Sequence, residues 1–152
     1  MNILDAMGDE AVFGKWFANA TSWGAWRAFL AALFCLPMDH DHLNTYRRCT
    51  GRSAPPTAPA TEAWLVIGRR GGKSFILAAV AVFLACFKDW RPYLAPGERG
   101  TVMILAADRK QARVILRYVK GLLEGVPMLS QLITNSTAEG VNLSNRISIE
   151  VH

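Results

Sequence analysis

Apolar positions along this chain recur with a helical period at first and then gather into short unbroken runs, and the change divides the sequence. Trp23, Trp26, Leu30, Leu33 and Phe34 share one helical face, and Pro37 stops that pattern. A second, short amphipathic helix is predicted from Asp39, whose carboxylate suits the first free amides, to Gly51, which can adopt the left-handed turn that ends a helix. Residues 52–62, "RSAPPTAPATE", cannot continue it past Pro55 and are predicted to be an extended connector.

Beyond the connector the runs are continuous. "AWLVI", residues 63–67, is short, apolar and bounded by Gly68, the pattern of a strand buried on both faces. The longest apolar run, Phe75 to Phe87, is 13 residues. A bilayer span needs about 20 residues, so this run reads as a buried helix. The loop "KDWRPYLAPGERG" leads to "TVMILAA", a second candidate for a buried strand. Asp108 and Gln111 then stand at capping-box spacing before a helix with Ala112, Ile115, Leu116, Val119 and Leu122 on one face.

Strand, helix, strand, helix in succession predicts an α/β fold with a right-handed parallel crossover. "MLSQLI" reads as a short helix, and "EGVNLSNRISIEVH" alternates as a hairpin with Ser144 and Asn145 near its turn. The predicted organisation is a helical lead-in at 1–51, a connector at 52–62 and an α/β portion at 63–152. Because the chain stops at His152 inside a strand-like run, the α/β portion is expected to be incomplete.

Composition adds a core and a polarity. An apolar content of 51% in 152 residues is enough for a packed interior. The net charge of +5 is one-sided: residues 1–61 hold five basic and five acidic side chains, whereas 62–152 hold twelve and seven. A phosphate-bearing partner is therefore expected on the second part. Cys35, Cys49 and Cys86, an odd number at irregular spacing with no secretory signal pattern before them, imply a reducing compartment.

The charge points to "GRRGGKS", residues 68–74. A loop that wraps a polyphosphate needs glycines for close backbone approach and a helix N-terminus whose amides face the anion. Gly71 and Gly72 supply the first, and Lys73 and Ser74 open the predicted helix, with Lys73 placed for the β/γ phosphates and the Ser74 hydroxyl for a Mg²⁺. Arg69 and Arg70 would repel one another beside a positive helix end unless an anion lay between them. The competing reading is an ordinary glycine turn, because the strict G-x-x-x-x-G-K-[ST] pattern wants glycine where Ile67 stands.

The shortened, arginine-bearing loop resembles that of the large terminase subunit of tailed bacteriophages, the ATPase that packages viral DNA. The resemblance runs through "FLAALFCLPMDHDHLNTYRRCTGR", "EAWLVIGRRGGKS" and "LAPGERGTVMILAADRKQARVILRYVKGLL" and covers residues 23–151. It implies a P-loop NTPase core of the RecA-like (ASCE) type with a parallel sheet, and ATP and Mg²⁺ as cofactors. Gly68, Arg69, Arg70, Gly71, Gly72, Lys73 and Ser74 would hold the triphosphate, Ser74 the metal, and Arg69 would act catalytically on the γ-phosphate. Tyr46, Arg48 and Arg52 would lie near the adenine. The implied partners are double-stranded DNA, a portal protein, a small terminase subunit and further copies in the assembled motor, all in the host cytoplasm and none in a membrane.

Hydrolysis in this family also needs a metal-holding Asp on a second apolar strand and a Glu that orients water. After Asp108 the only acids are Glu124, Glu139 and Glu150, and none follows four apolar residues. The 152 residues alone are accordingly expected to bind nucleotide weakly and to hydrolyse none. Two other classes fit the residues: part of another P-loop motor such as a helicase, or a non-enzymatic remnant that binds DNA or a protein.

Three further features carry alternatives. Arg109, Arg113, Arg117 and Lys120 form a helical stripe that reads either as a solvated face or as a contact for DNA or another partner. Cys35, His40, His42 and Cys49 match no standard zinc spacing. Trp16, Trp23, Trp26 and Trp64, among apolar neighbours, read as core in preference to a base-stacking platform.

Overall fold

Asn2 opens the first helix by accepting hydrogen bonds from the Leu4 and Asp5 amides, while Asp5 reaches back to the Asn2 amide, a complete capping box. The same chemistry starts the next long helices: Asn19 caps through the Ser22 amide and Asp39 through the His42 amide. The computed structural model describes all 152 residues and divides into two compact units, 1–68 and 69–152.

The first unit is helical, with α1 (Ile3–Gly8), α2 (Gly14–Phe17), α3 (Ala20–Leu33) and α4 (His40–Thr50). Ile3, Met7, Phe13, Phe17 and Leu30 are its largest fully buried side chains. Gly51 ends α4 with φ of 70°, as its position in the sequence predicts. The connector folds back on the end of α3: the Ala60 amide donates to the Leu33 carbonyl at 2.9 Å, and the Cys35 thiol donates to the Pro56 carbonyl at 3.3 Å.

Residues 63–67 correct the sequence reading. They form no strand, and Trp64 is 89% exposed, its indole N–H held by Glu62 at 2.6 Å. An apolar run becomes a strand only where a neighbouring strand takes its amides and carbonyls, and the first unit contains none. Trp64 is therefore not core, whereas Trp16, Trp23 and Trp26 are half-buried; Trp23 packs edge-on against Phe17, their centroids 4.9 Å apart.

The second unit contains α5 (Lys73–Phe87), a 3₁₀ turn at Arg91–Tyr93, β1 (Gly100–Ile104), α6 (Arg109–Glu124), α7 (Pro127–Ser130), β2 (Ile133–Ser136), β3 (Gly140–Leu143) and β4 (Ile147–Val151). The sheet order is β1-β4-β3-β2. β1 runs parallel to β4, and the other two pairings are antiparallel. This is a mixed α/β arrangement: the parallel sheet that the resemblance implies is met only by the β1/β4 pair, and the 140–151 hairpin predicted from its alternation brings antiparallel strands into the same sheet. β2 escaped the sequence reading because "ITNS" is mostly polar and its pairing with β3 is broken by a register shift between Ile133 and Asn135.

β1 lies at the edge of the sheet, and of its two faces, to which successive side chains alternate, only one is covered. Val102 and Ile104 are half-buried while Met103 is 59% exposed, which corrects the expectation of a strand buried on both faces. Buried Ser148 fixes the β1/β4 register through Thr101 Oγ1 at 3.1 Å. α5 packs along α6, with Phe75 edge-on to Tyr118, and both helices lie against β4. The Asn145 side-chain amide, in the hairpin turn, donates to the Ala85 carbonyl at 2.7 Å and ties the hairpin to α5.

No helix is long and apolar enough to cross a membrane. Burial in α5 pushes the Cys86 thiol up to about 12, whereas Cys49 on α4 is exposed. At pH 8, a disulfide reagent is therefore expected to label Cys49 in the native protein and to reach Cys86 only on unfolding. Equal labelling rates at the two thiols would show that α5 is not packed in this way.

Candidate phosphate-binding loop

Arg70 and Gly72 both adopt left-handed backbone conformations, with φ of 61° and 79°. Glycine takes this conformation freely, whereas a residue with a side chain is strained there by about 1–2 kcal/mol. Gly72 is also the N-cap of α5, so the chain turns sharply straight into a helix of 15 residues. Because a glycine cap brings no side chain, nothing at that position satisfies the first helical amides. The Gly72 carbonyl accepts from Phe75 and Ile76, both at 3.1 Å, but the Lys73 and Ser74 amides make no hydrogen bond within the protein.

Charge adds to that dipole. Arg69, Arg70 and Lys73 are exposed, no acid lies in the first turn of α5, and none of the three cations is in an ion pair. Gly71 is exposed, and Gly72 and Ser74 are half-buried. Three cations within five residues at the positive end of a helix make an arrangement that an anion stabilises.

The donor set fits a polyphosphate: two unbonded amides, an ammonium, two guanidinium groups and a hydroxyl. For Mg²⁺ the protein contribution is thinner, the Ser74 hydroxyl alone, and no group of three or more His, Cys, Asp or Glu side chains is clustered to hold a metal. A Mg²⁺ there would take its remaining oxygens from phosphate and water, as this ion commonly does.

No protein-family model, curated protein or solved structure matches the chain. The loop therefore rests on its own residues.

The structure gathers Arg69, Arg70, Gly71, Gly72, Lys73 and Ser74 at one helix end in the second unit, and Gly68 is the last residue of the first. Tyr46 and Arg48 lie on α4 of the first unit, Tyr46 buried at 6% exposure and Arg48 exposed; Arg52 follows the helix and is exposed. The acids after the loop are occupied or solvated. Asp108 caps α6 through the Gln111 amide at 2.8 Å, one half of the capping box its spacing predicts. Glu150 accepts from the Ser148 hydroxyl at 3.0 Å and faces His152 at 3.5 Å, while Glu124 and Glu139 are exposed. In the loop before β1, hydrogen bonds from Arg91 hold the Asp89 carboxyl down at about 2.

Two depressions open elsewhere in the second unit, and no loop residue lines either. One, of about 380 Å³, is lined by Arg113, Leu116, Arg117, Lys120 and Ala138. Its neighbour, of about 250 Å³, shares Arg113 and Ala138 and adds Arg109, Glu139 and His152. Sequence periodicity finds the stripe of cations, but only the β2–β3 turn supplies the second wall, and that turn carried no sequence signal because β2 carried none.

Proposed function

We propose that residues 68–74 bind the phosphates of ATP, and that the chain is the ATP-binding portion of a phage terminase large subunit, the motor that packages viral double-stranded DNA into proheads. The observation that carries the nucleotide reading is the uncapped N-terminus of α5, with two unbonded amides and three unpaired cations around it. The terminase assignment is supported by the form of the loop, "GRRGGKS", with an arginine after the first glycine and one residue fewer than the strict phosphate-loop pattern.

In this reading the Lys73 and Ser74 amides hold phosphate oxygens, Lys73 adds a charge-assisted bond and Arg69 stabilises charge on the γ-phosphate. Bound Mg²⁺ would neutralise phosphate charge, with Ser74 as its protein ligand. The acids of the second unit leave turnover unsupported: Asp108 is committed to a helix cap, and no paired Asp and Glu stand at a strand end. The expected activity of these 152 residues is binding without hydrolysis.

Phosphate recognition predicts a particular order of ligands. In competition against a fluorescent ATP analogue with Mg²⁺ present, ATP and inorganic triphosphate are expected to displace the probe, ADP to do so less well and AMP least. AMP competing as well as ATP would defeat the reading, because recognition would then lie in the nucleoside.

A further inference from the structure

The cations of α6 face a wall that the sequence does not announce. Arg109, Arg113, Arg117 and Lys120 recur every three or four residues, so they stand on one side of the helix, and none of the four is in an ion pair. The opposite wall is the β2–β3 turn, which contributes Ala138 and is closed by hydrogen bonds. The Thr137 hydroxyl accepts from the Glu139 and Gly140 amides at 3.2 and 3.0 Å, and the Glu139 carbonyl accepts from the Val151 amide at 2.9 Å. Lys120 Nζ spans the gap to the Thr137 carbonyl at 2.6 Å. Arg113 and Arg117 therefore line, with Leu116 and Ala138, a groove whose charge no acid neutralises by an ion pair.

We propose that this groove, from Arg109 to Lys120, is a track for the phosphate backbone of duplex DNA. Successive arginines four residues apart rise by about 6 Å along the helix, and the whole stripe by about 16 Å, the axial length of roughly five base pairs. The side chains that line the groove can grip phosphates but cannot read bases: the first depression is walled by three cations, a leucine and an alanine. Single-stranded nucleic acid would want aromatic platforms, and no Phe, Tyr or Trp side chain lines the groove; Tyr118, the one aromatic of α6, is 42% exposed but meets Phe75 edge-on. Glu139, at the end near Arg109, sets a negative limit to the track.

The inference takes DNA as partner from the packaging reading, but the groove is tested without nucleotide, so failure of one is distinguishable from failure of the other. Anisotropy of a labelled duplex of about 30 base pairs is measured from 50 to 200 mM KCl; Arg113→Gln with Arg117→Gln is expected to reduce the slope of log K against log salt by about 1.8 and to weaken binding roughly tenfold at 100 mM. Both positions are exposed, so the pair should melt as the parent does. Arg113→Lys with Arg117→Lys keeps the charge and should restore most of the slope. If the glutamine pair does not fold, Arg117→Gln alone carries the test, with a slope loss of about 0.9. Lys15→Gln with Lys88→Gln removes the same charge outside the groove and should change the slope much less. Equal loss in that control pair, an unchanged slope in the groove variants, tighter binding to single-stranded DNA, or preference for phosphatidylserine vesicles over duplex would each overturn the proposal.

Discussion

Phe83→Ala is expected to destabilise the protein by about 3–5 kcal/mol, the range for emptying a buried phenylalanine site. Phe83 is 2% exposed, lies in the middle of α5 and stacks on Phe87 with ring centroids 5.5 Å apart. Ala79, one turn earlier on the same face, is buried as well and is too small to fill the space left behind. Native domains are stable by only about 5–15 kcal/mol, so the loss takes much of the total. For a unit of this size it corresponds to a fall in melting temperature of roughly 12–40 °C. Leu77→Ala, on the same helix but 49% exposed, supplies the contrast and should cost well under half as much. Equal melting curves for the two variants would show that α5 does not present the face described to α6 and the sheet.

Lys73→Ala is expected to weaken ATP binding by about 10- to 100-fold, equivalent to the 1.5–3 kcal/mol of a hydrogen bond to a charged group. Lys73 is exposed and is the first residue of α5, so its ammonium makes no structural contact that would be lost. Alanine is the strongest helix former, and removing a positive charge from a helix N-terminus relieves an unfavourable interaction with the dipole. Affinity should therefore fall while the melting temperature holds or rises slightly. That split separates a ligand contact from a structural role, because a structural lysine would lose both together. Unchanged affinity for ATP in Lys73→Ala would remove the basis for nucleotide binding at this loop.

Much of the helical structure could be read locally. Asp39, Gly51 and Asp108 mark helix ends because the cap is a contact between residues close in sequence, and the structure places each of them at such an end. The apolar run from Phe75 to Phe87 and the amphipathic face from Ala112 to Leu122 bury as their periods predict. The hairpin at 140–151 was legible for the same reason, since strict alternation and a polar turn are also local signals.

The strands were harder to read because a strand is completed by its neighbour. "AWLVI" has strand composition but stays unpaired and exposed, while "ITNS" lacks it and pairs with β3. Hydrogen bonds between distant segments decide both outcomes, and those partners cannot be read from either segment alone. The candidate loop at residues 68–74 was legible as residue types, Gly-Gly-Lys-Ser with two arginines. Its geometry, with Arg70 and Gly72 left-handed and the following helix uncapped, became visible only in the folded chain.

The sequence by itself determined the caps at Asp39, Gly51 and Asp108, the apolar faces of α5 and α6, and the concentration of positive charge at residues 69–73 and along residues 109–120; that these cations are unpaired was decided by the fold. Tertiary structure alone decided that the sheet is mixed, that β1 lies at its edge, and that the β2–β3 turn stands opposite the cations of α6. The physical reason is range: caps and helical faces are set by residues within about four positions of one another. Strand partners and the walls of a groove are set by segments that meet only after folding.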